Sequence, residues 1–191
     1  VIPAEHIEKM PAAIDIVVRK EQPVLKAARS PGFTVEKLKA AWLEAETGAT
    51  LAMTLGEYTV AQLIAQQVPP YDVASMTAFF RAHGLGENWL ESLAKRGNAY
   101  RRGVPAIPVT YRRLIDGDLL KIGDHDWRVI VGHGHAPEHA SLYCDRLHVL
   151  ISGDMLLPRI STNVSAFSSS PECDALGLFL APIFPLLIAE T

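Results

Sequence analysis

Apolar positions along the chain fall into short runs separated by turn residues, and their spacing changes partway through. From Thr34 the spacing is helical: Val35, Leu38, Trp42 and Ala45 share one face, Glu36 lies in the first turn and Gly48 stands just past the end. This predicts an amphipathic helix over 34–47. Ala49 to Met53 reads as a short strand, and Thr54 is placed to cap a second helix, in which Val60, Leu63 and Ile64 keep helical spacing until Pro69-Pro70. Asp72 opens a third helix carrying Val73, Met76, Phe79 and Phe80 and ending near Gly84. A fourth is expected from about Glu87 to Arg102 with Trp89, Leu90, Leu93 and Ala94 turned inward, and Pro105 and Pro108 close the helical stretch. Residues 1–32 are weakly patterned, with Ile14 to Val18 as a candidate strand.

From Tyr111 onward the runs shorten. Leu114-Ile115, Leu119 to Ile122 and Trp127 to Val131 are separated by Asp116-Gly117 and Gly123-Asp124, the pattern of antiparallel hairpins. A further strand is expected at Leu147 to Ser152, after the turn Asp145-Arg146. Asp174 to Leu180 reads as helical until Pro182 and Pro185 break it, which leaves PIFPLLIAET as a terminal apolar segment. Neither an internal repeat nor a low-complexity tract interrupts this order. Helices first and hairpins later describe an α/β chain.

Composition narrows the classes. A chain of 191 residues reads as one domain over 1–191 and buries roughly 70% of its unfolded surface. The formal net charge of -3 and 20% charged residues give no global pull toward nucleic acid. Two cysteines without a CxxC partner, Cys144 and Cys173, make no disulfide framework, and Cys144 reads as a core thiol. The start VIPAEHIEKMP has no basic segment leading into an apolar one, and no run of about 18 apolar residues occurs, so a cytoplasmic protein with no export signal and no membrane span is expected. Ser152 sits in ISGD rather than in a Gly-x-Ser-x-Gly elbow, which argues against a serine hydrolase, and no dinucleotide or P-loop glycine motif is present.

Candidate chemistry concentrates in residues 128–165, where His133-Gly-His135-Ala-Pro-Glu-His139 lies between two strand-like runs and Ser152-Gly153-Asp154 follows the second. Histidines leaving one strand and a carboxylate ending the next can meet at one sheet edge and share a metal ion. The closely spaced His133, His135 and His139 also suit a small site of their own. With GHGHAPEHASLY at 132–143, ISGDMLLPRIS at 151–161 and the helix–strand–helix order before them, the chain over about 40–180 resembles the metallo-β-lactamase superfamily, particularly its glyoxalase II-like hydrolases. The resemblance implies a mixed β-sheet flanked by helices, incomplete here, with a helical insertion at about 55–104. It also implies a metal-dependent hydrolase using one or two zinc ions, or iron or manganese, on a small-molecule ester, thioester, lactam or phosphodiester. By the same resemblance His135 and Asp154 are metal ligands, and His133 and His139 order the loop around them.

The family's principal ligand motif, His-x-His-x-Asp-His, should precede the helix at 34–47, where KAARSPGFTVEK contains no histidine, and no histidine follows His148 to supply the last ligand. Two other readings therefore stand beside the hydrolase. One is a binding protein or relic that keeps the fold without the metal. The other is a nuclease-like protein using the basic residues Lys95, Arg96, Arg101, Arg102, Arg112 and Arg113.

Overall fold

The computed structural model describes residues 48–157 and 160–188, with side chains to residue 182. The helix expected at 34–47 and the strand expected at Ile14 to Val18 lie outside these residues. Strand β1 (Ala52–Met53) pairs in parallel with β2 (Arg112–Arg113), Ala52 opposite Arg112 and Met53 opposite Arg113. The pairing is extended by the Leu114 amide, which donates to the Met53 carbonyl at 2.8 Å. The paired residues therefore precede Leu114-Ile115, because Leu114 turns into the core and Ile115 enters the Asp116-Gly117 turn.

Four helices lie between β1 and β2. Helix α1 (Leu55–Gln66) is capped by Thr54, whose hydroxyl oxygen accepts the Glu57 amide, and it stops where Gln67 enters the left-handed region at φ 56°. Helix α2 (Val73–Ala82) starts at Asp72, whose carboxylate accepts the Ser75 amide at 2.6 Å. The single helix expected over 87–102 is instead two, α3 (Glu87–Arg96) and α4 (Ala99–Gly103). Asn98 makes the break: its carbonyl oxygen caps α4 on the Arg101 amide, and its side-chain NH2 donates to the Ile64 carbonyl at the end of α1. A residue committed to those two partners serves as a cap rather than a helix interior.

Only part of the inward face assigned to α3 is buried. Leu90 is 1% exposed, whereas Trp89 is 65% exposed and Ala94 is also at the surface. Trp89, Leu93, Phe80 and Leu85 line an open groove of about 250 Å³ between α2 and α3.

The remaining strands form an antiparallel meander in the order β3 (Leu119–Ile122), β4 (His125–Gly132), β5 (His139–Cys144), β6 (Val149–Ile151). Alternation along β4 sends Trp127 and Val129 inward while Asp126 and Arg128 face out. Those two inward residues join Leu114, Leu120 and Cys144 in the core. The strand expected from Leu147 begins two residues later, because Asp145–Leu147 forms a 3-10 turn and His148 is left-handed at φ 51°.

Helix α5 (Ala175–Ile188) packs on β4 and continues through both prolines that were expected to end it. Asp174 opens it, its carboxylate accepting the Gly177 amide at 2.9 Å and its carbonyl the Leu178 amide at 3.0 Å. Each proline removes one intrahelical hydrogen bond, a loss that apolar packing against the sheet opposes. Among the described residues no helix is long and apolar enough to cross a membrane.

The burial pattern sets two expectations for stability. Val129→Ala should destabilise the chain by about 2 kcal/mol, since it removes two fully buried methyl groups and leaves a cavity. Trp89→Ala should cost less than about 1 kcal/mol. Urea unfolding monitored by circular dichroism checks both, and a larger loss for Trp89→Ala would contradict the burial described above.

Candidate functional site

Three segments meet at the edge where β4 ends and β5 begins. The first is the loop His133 to Glu138, which carries His135. Within it the His133 ring donates from Nδ1 to the Pro137 carbonyl at 2.6 Å and folds the loop on itself. Gly134 permits close approach of α5: a Cβ at this position would lie 2.6 Å from Phe179 Cβ and 2.7 Å from the Ala175 carbonyl oxygen. The second segment is the 3-10 turn Gly153–Met155 after β6, which carries Asp154. Met155 beneath it is 1% exposed and anchors the turn in the interior.

The third segment, residues 162–165, straps the other two. The Thr162 hydroxyl lies 2.9 Å from the Asp154 carbonyl and 3.0 Å from that of Met155. The Asn163 carbonyl accepts His135 Nδ1–H at 3.1 Å, and the Ser165 amide donates to the Gly134 carbonyl at 2.6 Å. With Nδ1 committed as a donor, His135 turns its Nε2 toward Asp154, 3.5 Å from Oδ2.

His139 is the first residue of β5, and its Nε2 accepts the Asp154 amide at 3.2 Å. Its ring lies edge-on to that of His135, with centroids 5.8 Å apart. Gly153 makes the contact possible, because its φ is +53° and a Cβ there would stand 2.5 Å from the His139 ring. Burial, and then the neighbouring His135, lower the His139 pKa, which favours the neutral ring. A neutral ring that accepts at Nε2 carries its proton on Nδ1, and that atom is buried. The structure thus brings His135, His139 and Asp154 together and leaves His133 as a brace within the loop.

Sequence reading did not assign Thr162, Asn163, Thr54, Glu57 or Glu138 to the site, yet all of them border it. The Thr54 hydroxyl donates to the Glu138 carbonyl at 2.6 Å, and the Glu138 carboxylate accepts the Gly56 amide at 2.9 Å. Glu57, in the first turn of α1, has its pKa pushed up to about 7, first by burial and then by the charges of Glu138 and Asp154. Its own charge helps, after burial, to raise the Tyr100 pKa. The Thr54-x-x-Glu57 spacing was the available signal, but it marks a helix start rather than a site. Arg101, Arg102, Arg112 and Arg113 are all exposed on α4 and β2, outside the site.

Donor chemistry decides whether these residues suit a metal ion. His135 Nε2 is a lone-pair donor whose tautomer is fixed by a backbone carbonyl, as in many metal-bound histidines, and Asp154 supplies an oxygen beside it. They fit zinc in kind as a partial shell: two donors fall short of the usual four, and among the described residues no group of three or more His, Cys, Asp or Glu is placed to hold a metal.

Glu57 gives a pH prediction. A carboxyl whose folded pKa lies near 7, above its unfolded value of 4.5, contributes stability fully present below pH 4.5 and lost as pH rises through about 7. Glu57→Gln, which stays neutral, should therefore gain on the parent by about 1–2 kcal/mol between pH 4.5 and pH 8, after allowance for its partial solvent contact. Urea midpoints at the two pH values measure the gap; an unchanged gap would contradict the burial of an ionisable Glu57.

The family model described as the metallo-beta-lactamase superfamily matches residues 61–186. The crystal structure of a beta-lactamase domain protein from Burkholderia ambifaria is 44% identical, with a TM-score of 0.57 over 72% of this chain and 36% of that one. A metallo-beta-lactamase family protein from Thermus thermophilus, 23% identical with a TM-score of 0.61 over 87% of this chain and 56% of its own, shares the fold. No curated protein matches. The chain thus spans less than two thirds of either structure. The family match over 61–186, with 44% identity across 72% of the chain, establishes that the chain belongs to the metallo-β-lactamase superfamily.

Proposed function

We propose that this chain carries part of the metal site of a glyoxalase II-like hydrolase, with His135 and Asp154 as its metal ligands. The carrying observation is the facing of His135 Nε2 and Asp154 Oδ2 at 3.5 Å, with His135 Nδ1 held by the Asn163 carbonyl. Superfamily members usually bind metal ions, typically zinc, and zinc suits an imidazole and a carboxylate better than magnesium or calcium does; iron and manganese accept the same donors. When bound, such an ion supplies a water acidified to a pKa of roughly 7 and polarises the group under attack.

The chain's own residues prepare that chemistry. The Asn163 carbonyl keeps the His135 proton on Nδ1 and leaves Nε2 free to donate its lone pair. His139 holds the Asp154 amide and so fixes the turn that presents the carboxylate. Glu57, with a pKa near 7, can carry or release a proton on the α1 side of the site. A small molecule with an ester, thioester, lactam or phosphodiester bond is the proposed substrate class.

Dialysis against zinc followed by elemental analysis tests the proposal. The parent should retain about one equivalent, and His135→Ala and Asp154→Ala should each lose most of it. Retention by both variants would put the zinc at other residues and refute these ligands, whereas no uptake by the parent would favour a fold kept without its metal.

A further inference from the structure

We propose that Glu138 is a positioning residue for the metal loop, acting through a clamp on the N-terminus of α1. The inference rests on the reading of His135 and Asp154 as ligands. Glu138 is tied at both ends of the residue to a segment more than eighty positions away in sequence. Its carboxylate takes the Gly56 amide at 2.9 Å, and its carbonyl takes the Thr54 hydroxyl at 2.6 Å. Thr54 is 0% exposed, and the same hydroxyl oxygen accepts the Glu57 amide to cap the helix. One buried side chain therefore starts α1 and holds the loop.

The approach is close enough to restrict the sequence at position 56. A Cβ on Gly56 would stand 2.9 Å from both Cγ and Cδ of Glu138, a separation that forces one of them aside. The amide that Glu138 accepts is among the first-turn donors of α1, which have no partner inside the helix. A carboxylate there is also favoured by the helix dipole.

What the clamp controls is the next residue. Glu138 immediately precedes His139, and the His139 ring holds the Asp154 amide. Fixing the Glu138 backbone on Thr54 and its side chain on Gly56 sets where β5 begins and how the His139 ring enters the Gly153 turn. A chain free to rotate at 138 would let that ring leave the turn and release Asp154. The clamp also joins the helices between β1 and β2 to the ligand loop, so a displacement of α1 is felt at Asp154 without any direct contact to it.

The test uses the metal-free chain first, which separates it from the question of metal binding. Imidazole 15N–1H correlation spectra report whether His139 keeps its proton on Nδ1 and accepts at Nε2. Glu138→Gln preserves an acceptor for the Gly56 amide and should leave that signature intact. Glu138→Ala should convert His139 to exchange between tautomers and, where the parent binds zinc, weaken zinc affinity about 10- to 100-fold, with recovery in Glu138→Gln. If Glu138→Ala does not fold, Gly56→Ala, which keeps every hydrogen-bonding group and crowds the Glu138 side chain from Cγ to the carboxylate, carries the same expectation. An unchanged His139 signature in the folded variant, with only a lower melting temperature, would reduce Glu138 to a helix cap and overturn the proposal. A parent that takes up no zinc would sink the ligand assignment alone, since the His139 spectrum still decides the clamp.

Discussion

The hydrogen bond from the Asp154 amide to His139 Nε2 joins the turn after β6 to the first residue of β5. Its existence depends on strand register. His139 pairs with Gly132 across β4, while Leu142 pairs with Ile151 across β6, so the hairpin that follows His139 returns the chain to it at Gly153-Asp154. A slip of one residue in either ladder would turn the His139 ring to the other face of the sheet. The buried core on one face of the meander opposes such a slip: Trp127 and Val129 of β4 and Cys144 of β5 would have to leave it. Apolar burial far from any chemistry thus sets the position of the functional groups.

Around that bond the site is held mostly by backbone groups. His135 is oriented by the Asn163 carbonyl, the Asp154 turn by Thr162, and the loop at 134 by the Ser165 amide. Partners of this kind tolerate change in side-chain identity at 163 and 165, whereas the close approaches at Gly134 and Gly153 do not. The electrostatics have a consistent direction. Glu57, desolvated by burial and then exposed to the charges of Glu138 and Asp154, holds its proton to about pH 7. A cation at His135 and Asp154 would oppose that shift.

Much of this was legible in the sequence because it rests on local rules. Thr54 and Asp72 announced helix starts that the structure contains, the turn dipeptide at 123–124 marked the β3–β4 hairpin, and GHGHAPEH with ISGD gave the family, whereas the turn at 116–117 joins no hairpin because the strand before it pairs in parallel with β1 instead. The errors have physical causes. Helix α5 passes Pro182 and Pro185, since tertiary packing on β4 outweighs a local penalty that periodicity treats as final. The break between α3 and α4 at Asn98 depends on the Ile64 carbonyl, 34 positions away in sequence. Trp89 is exposed because a helical face is buried only where another element covers it. Glu57 and Glu138 were invisible as site residues for the same reason: each is an ordinary glutamate until the fold brings α1 against the loop. Strands β3, β4 and β6 were read from their apolar runs, whereas β5 was passed over, because His139–Cys144 mixes polar and apolar residues and becomes a strand only between β4 and β6.

The most direct test of the site is a crystal of the chain grown with zinc, with data collected on both sides of the zinc absorption edge. An anomalous peak about 2.0–2.2 Å from both His135 Nε2 and an Asp154 carboxylate oxygen is the predicted result. A peak elsewhere with none at this pair, or an unbroken His135–Asp154 contact with no peak at all, would contradict the assignment of these two residues as metal ligands.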